Sequence, residues 1–114
     1  MRNKIIGENT ISGLIYIIQY FKPNVWLIEN PQTSYIWRFI NEKFCLFGYH
    51  NLSYYNCYDL NFSKKPTIFF SNLKLELLNF HIKSNDRMNY CNYNERSAIP
   101  NSLLLDILYK IDSQ

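Results

Sequence analysis

Alanine occurs once in the 114 residues, at Ala98, and glycine three times, at Gly7, Gly13 and Gly48. Glycines this scattered exclude a glycine-rich loop of the kind that cradles phosphates or a nucleotide cofactor, which needs several within a few residues. Cysteine is scarce and odd in number: Cys45, Cys57 and Cys91 show no C-x-x-C spacing. That excludes a disulfide framework and predicts free thiols in a reducing, cytoplasmic setting. His50 and His81 are the only histidines, so no metal site is predicted. The longest uncharged, mostly apolar window runs from Asn9 to Phe21 and stops at Lys22 and Pro23. A membrane span needs about 20 apolar residues, so none is expected. The basic start Met1-Arg2-Asn3-Lys4 is followed by Glu8 and Asn9 with no small-residue cleavage site, and no signal peptide is expected. The net charge of +3 is mild: it favours phosphates without specifying them.

What is present is apolar and aromatic. Hydrophobic residues make up 47% and aromatic residues 18%, which excludes a wholly disordered chain. The 15 Asn, 14 Ile and 10 Tyr are residues with AT-rich codons, and the bias reports base composition before it reports function. A prion-like reading of the Asn and Tyr content loses to the ordered apolar patterns that interleave with it. The length suits one domain over residues 1–114.

Ile11, Leu14, Ile15, Ile18 and Phe21 recur at helical spacing, with Asn9 or Thr10 as N-cap and Pro23 as the stop. Val25-Trp26-Leu27-Ile28 is an unbroken apolar run, as expected of a parallel-sheet strand covered on both faces. Glu29-Asn30-Pro31 then lies at its carboxyl end, where ligands bind in open α/β sheets. A strand before the first helix would have to lie at Lys4–Gly7 or be missing. A helix is predicted from about Thr33 to Phe44, with Tyr35, Ile36, Phe39 and Ile40 on one face. Strands are predicted at Leu52–Tyr58 and Thr67–Ser71, joined by a loop that ends in Lys64-Lys65-Pro66. Leu73–Leu78 continues with little turn signal, and Lys83–Arg96 reads as a polar loop. A last helix, Asn101–Ile111, carries Leu104, Leu105, Leu108 and Ile111 as its apolar face, with Pro100 just outside the first turn. The expected fold is α/β: a short mixed sheet flanked by helices.

Three segments are more specific. They are Tyr20-Phe21-Lys22-Pro23 running into Ile28-Glu29-Asn30-Pro31, then Cys57 followed by Lys64-Lys65-Pro66-Thr67-Ile68-Phe69-Phe70-Ser71-Asn72, and finally Glu95-Arg96-Ser97-Ala98-Ile99-Pro100 before the terminal helix. In this order and spacing the chain resembles the later half of the DNA cytosine-5 methyltransferase family, its phage-type members above all, over roughly Gly13 to Ile111. The resemblance implies a partial Rossmann-like methyltransferase domain. By it, Glu29 matches the glutamate that holds the flipped cytosine through N3 and the exocyclic amine, and Asn30 matches the asparagine that shapes the neighbouring loop. Lys64 and Lys65 fall where the family has basic residues against the target base or the DNA backbone. Arg96, Ser97, Ile99 and Pro100 match the last motif, which folds beside the cofactor pocket.

The departures are as informative. The family's glycine-rich cofactor loop is absent, and so is the Pro-Cys loop whose cysteine attacks the base; no cysteine here follows a proline. Asp59-Leu60 replaces a usual Tyr-Gly, Ala98 stands where a basic residue is common, and little room remains for a target-recognition region. Without a nucleophile the cytosine ring is not activated. The resemblance therefore implies a fragment inactive alone, the second half of a split or truncated enzyme that holds the target cytosine while a complementing methyltransferase chain attacks it. S-adenosylmethionine would be held only where that chain completes the pocket. The alternative is a catalytically dead remnant acting as a DNA-binding or protein-interaction module, and a third reading is a small α/β protein that binds something else. A short sheet also leaves an open edge, through which a homo-oligomer could form.

Each residue has a plainer role to set against these. Glu29 could cap the next helix or pair with Lys22 or Arg38, and Lys64-Lys65 could be a solvated loop tip. Trp26 and Trp37 read as core before base-stacking platforms, and Tyr54, Tyr55 and Tyr58 as sheet packing. Cys45 and Cys57 are expected to be buried and Cys91 exposed.

Overall fold

The computed structural model describes residues 2–83 and 98–114. Its elements are α1 (Arg2–Phe21), β1 (Leu27–Pro31), α2 (Ile36–Lys43), β2 (Tyr49–Tyr54), a 3₁₀ turn (Tyr55–Cys57), β3 (Pro66–Ser71) and α3 (Asn101–Asp112). The three strands form an open sheet in the order β1-β3-β2, with both pairings antiparallel. The protein is thus mixed α/β, but among the described residues no parallel pair makes the sheet a mixed one.

Side chains alternate across the strands, and the alternation sorts the core into two layers. Ile28 and Phe70 join Ile11, Ile15 and Ile18 of α1 and Ile36 and Ile40 of α2 on one face. Phe69 joins Tyr55, Leu75, Leu77 and the α3 residues Leu103 and Ile107 on the other, with Leu27 packed against them. Trp26 and Trp37 pack against the first layer, as expected of core tryptophans. Gly48 lets the chain entering β2 pass close to this layer: a Cβ there would meet Trp26, Phe70 and the Ser71 carbonyl at 2.8–2.9 Å.

Several sequence expectations need correction. The strand covered on both faces is the central β3, where Thr67, Phe69, Phe70 and Ser71 are all buried. The Val25–Ile28 run instead leads into an edge strand in which only Ile28 is buried. An unbroken apolar run does not distinguish a central strand from an edge whose flanking residues pack against helices. Lys4–Gly7 is helical, because α1 starts well before Asn9 or Thr10, and the Thr10 hydroxyl donates to the Ile6 carbonyl within the helix at 2.9 Å. Pro23 does end the helix nearby, at Phe21.

The Leu52–Tyr58 segment is β2 only as far as Tyr54; the chain then tightens into the 3₁₀ turn. Residues 73–78 form no regular element, yet they lie along the outer edge of β2: the Tyr54 N–H donates to the Leu78 carbonyl at 3.0 Å, and Asn79 Nδ2 donates to the Leu52 carbonyl at 3.0 Å. The buried face of α3 is Leu103 and Ile107, while Leu104, Leu105 and Leu108 are exposed and Ile111 is half-buried. The run of three leucines fits two helical faces equally well, and only docking on the sheet chooses between them. Cys45 is exposed rather than buried, Cys57 is half-buried, and Cys91 lies outside the described residues.

Candidate functional site

Since β1 and β2 are each antiparallel to β3, they run in the same direction. Their carboxyl ends meet the amino end of β3: Pro31 pairs with Thr67 and Tyr54 with Pro66. Two further backbone bonds close this end of the sheet, from the Gln32 N–H to the Pro66 carbonyl (3.0 Å) and from the Tyr55 N–H to the Lys64 carbonyl (2.8 Å). Lys64 and Lys65 therefore lie at the end of the sheet where β1 and β2 finish, with Asn30 opposite Ile68 and Glu29 opposite Phe69 further along β1.

The lysines are held by aromatic rings. The Lys64 ammonium lies 4.4 Å from the centroid of the Tyr54 ring, and that of Lys65 lies 5.3 Å from Tyr55. Such contacts favour a cation. Lys65 has φ 35°, a left-handed backbone that a residue with a side chain adopts at a cost of about 1–3 kcal/mol. The surrounding bonds impose it, including that from the Thr67 hydroxyl to the Lys65 carbonyl at 3.0 Å.

Tyr55, beneath the lysines, is 1% exposed. Burial raises its pKa, a hydrogen bond with Thr67 lowers it, and the nearby charge of Glu29 raises it, so the phenol stays protonated. Alternation with Leu27, which packs against the α3 layer, puts the Glu29 carboxylate on that face of the sheet. Asn30, the next residue, takes the opposite face, opposite Ile68 in the register. The pair therefore shares a strand end but not a surface. Glu29 is exposed, and the ion pairs among the described residues, Arg38–Glu42, Lys74–Glu76 and Lys110–Asp106, leave it out. Pairing with Arg38 is thus excluded, since that guanidinium holds Glu42 at 2.9 Å.

Ile99 is half-buried against the cluster that holds Tyr55, and buried Pro100 opens α3. Arg96 and Ser97 lie outside the described residues. In the sequence Tyr55 is weighed as a base-stacking residue against sheet packing, whereas Asn56 and Thr67 are passed over as ordinary strand positions. Asn56 is 2% exposed, and neither atom of its side-chain amide has a hydrogen-bond partner. Its one sequence signal is an amide set between Tyr55 and Cys57 just where strand alternation stops.

Among the described residues no glycine cradle for S-adenosylmethionine occurs. Gly7 and Gly13 are within α1, Gly48 is pressed against Trp26 and Phe70, and the β1–α2 turn contains no glycine through which a cofactor could approach the backbone. No group of three or more potential metal ligands occurs among the described residues, and no described helix is long and apolar enough to cross a membrane. No family model matches the chain, and neither does any curated protein or solved structure.

Proposed function

We propose that this protein is the base-holding portion of a DNA cytosine-5 methyltransferase-like enzyme, a partial Rossmann-like domain whose nucleophile belongs to a complementing chain that also completes an S-adenosylmethionine pocket. The observation that supports this reading is that Tyr55 lies near both Lys65, whose ammonium is 5.3 Å from its ring, and the charge of Glu29. An exposed carboxylate can accept a hydrogen bond from a cytosine amine and share a proton with N3. A cation such as Lys64 at the end of the same sheet suits the phosphates that flank an extruded nucleotide, positioning the strand without reading its sequence.

The chemistry assigned to this chain is limited to the base. Attack of a thiolate at C6 places negative charge on the pyrimidine ring, and a carboxyl group at N3 relieves it by hydrogen bonding or proton donation. Because the chain carries neither the Pro-Cys loop nor a cofactor cradle, it performs no methyl transfer alone.

Binding isolates this role. The test is fluorescence anisotropy with two duplexes, one with a normally paired cytosine and one with the cytosine opposite a gap, where extrusion costs least. The proposal expects preference for the gapped duplex and loss of that preference in Glu29→Gln. Equal binding of both duplexes by both proteins would leave only a DNA-binding module, and absence of DNA binding would remove the nucleic-acid reading altogether.

A further inference from the structure

The two outer edges of the sheet are treated differently. That of β2 is covered by the chain itself, through the Tyr54–Leu78 and Asn79–Leu52 hydrogen bonds. On β1 the Gln32 N–H bonds to Pro66, and antiparallel ladders alternate, so Ile28 and Asn30 also direct their backbone groups toward β3. Leu27 and Glu29 then direct theirs outward, and among the described residues nothing bonds to them. Exposed, unprotected edges are templates for another strand.

The helix beside this edge is also uncovered. Trp37 of α2 meets His50 of β2 and Phe70 of β3, which puts α2 over those strands. α1 packs beside α2, a short Lys22–Trp26 connection joins it to β1, and its Ile11, Ile15 and Ile18 share the layer that holds Ile28 of β1. Away from its buried face α1 exposes Ile6 (55%), Ile17 (54%), Tyr20 (81%) and Phe21 (71%), and residues 9–21 carry no charge. A helix apolar on nearly every side is normally covered on every side.

We propose that a second copy of this chain covers both features, the two β1 strands pairing antiparallel across a twofold axis at Ile28. In that register Leu27 pairs with Glu29 of the second copy and Glu29 with its Leu27, using the outward backbone groups of both. The same symmetry brings together two uncharged α1 flanks, a patch that can meet itself without repulsion. Twofold dimers of this isologous kind are the commonest soluble oligomers. The result is one continuous sheet spanning both copies. The inference stands on the edge and the helix flank and does not depend on the DNA reading.

The test is the solution mass across a concentration series by light scattering and sedimentation equilibrium, with the full chain of 13.8 kDa. A dimer is expected. Leu27→Pro removes an outward N–H while sparing the ladder to β3, and should weaken the dimer by roughly tenfold to a hundredfold with the circular dichroism spectrum kept. Ile17→Glu, on the exposed flank and neutral for folding, should do the same and covers the case in which the proline variant fails to fold. A chain monomeric up to its solubility limit overturns the proposal, as does a dimer that neither substitution weakens. So does a monomer whose Leu27 and Glu29 amides become protected from exchange only when a different chain is added, which would give the edge to a complementing partner.

Discussion

The Tyr58 hydroxyl donates to Asp106 Oδ2 at 2.5 Å while accepting the Leu78 N–H at 2.8 Å. One phenol oxygen thus ties α3 to the end of the 3₁₀ turn and to the segment that guards the β2 edge. Lys110 completes the junction, its ammonium 3.3 Å from the same carboxylate oxygen and 2.8 Å from the Glu76 carbonyl. Tyr58→Phe removes the donor and strands a backbone N–H. It is expected to cost about 1–3 kcal/mol in urea unfolding, and a loss under a few tenths would show that α3 is held by Leu103 and Ile107 alone.

The same phenol makes a pH prediction. Burial first, and the bond to Asp106 second, raise the Tyr58 pKa well above 10.0. In the unfolded chain it ionises near that ordinary value, so its contribution is fully present below pH 10 and is lost as pH rises further. Stability should fall above pH 10 in the native sequence and fall less steeply in Tyr58→Phe. Parallel alkaline curves for the two proteins would contradict the assignment.

His50 gives the opposite dependence. Its ring lies 4.6 Å from that of Phe70 and meets Trp37 edge-on, and burial lowers its pKa from 6.5. The unfolded chain therefore takes up the proton first, and stability declines as pH falls below 6.5. His50→Phe should flatten the melting temperature between neutral and mildly acid pH. An unchanged acid slope in that variant would assign the effect to carboxylates instead.

Gly48 is a packing requirement. A Cβ would lie 2.8 Å from both the Phe70 ring and the Ser71 carbonyl and 2.9 Å from the Trp26 ring. The carbonyl belongs to the central strand and has little freedom to withdraw. Gly48→Ala should lower stability by about 1–3 kcal/mol through overpacking, measured by thermal unfolding, whereas Gly13→Ala meets nothing within 4 Å and should not lower it.

Helices were legible where one apolar stripe faces the sheet, as at Ile11, Ile15 and Ile18 or at Ile36 and Ile40. Legibility failed where apolar residues occur all round. In α3 the choice between Leu103 with Ile107 and Leu104 with Leu108 depends on Tyr58 and Asp106, whose partnership spans 48 residues. The β3 run Thr67–Ser71 could be recognised as a strand, but its central place depends on pairing partners on both sides. At the candidate site, Glu29 and the two lysines stood out by charge. Tyr55 and Asn56 did not, because burial and an unpartnered amide are properties of the folded turn alone.

Lys64 and Lys65 allow the electrostatic part of the functional reading to be tested apart from Glu29. A lysine that neutralises a phosphate displaces a counterion, and each such contact on duplex DNA adds about 0.9 to the slope of log K against log salt. Lys64, braced on Tyr54 beside the strand end, is placed for one such contact. Lys64→Ala should therefore weaken binding to the gapped and the paired duplex by the same factor and lower the salt slope by about one. Glu29→Gln should leave the slope unchanged while removing the preference between the duplexes. If Lys64→Ala alters the preference and not the slope, the lysine contacts the base rather than the backbone. If neither quantity moves, DNA does not approach this end of the sheet.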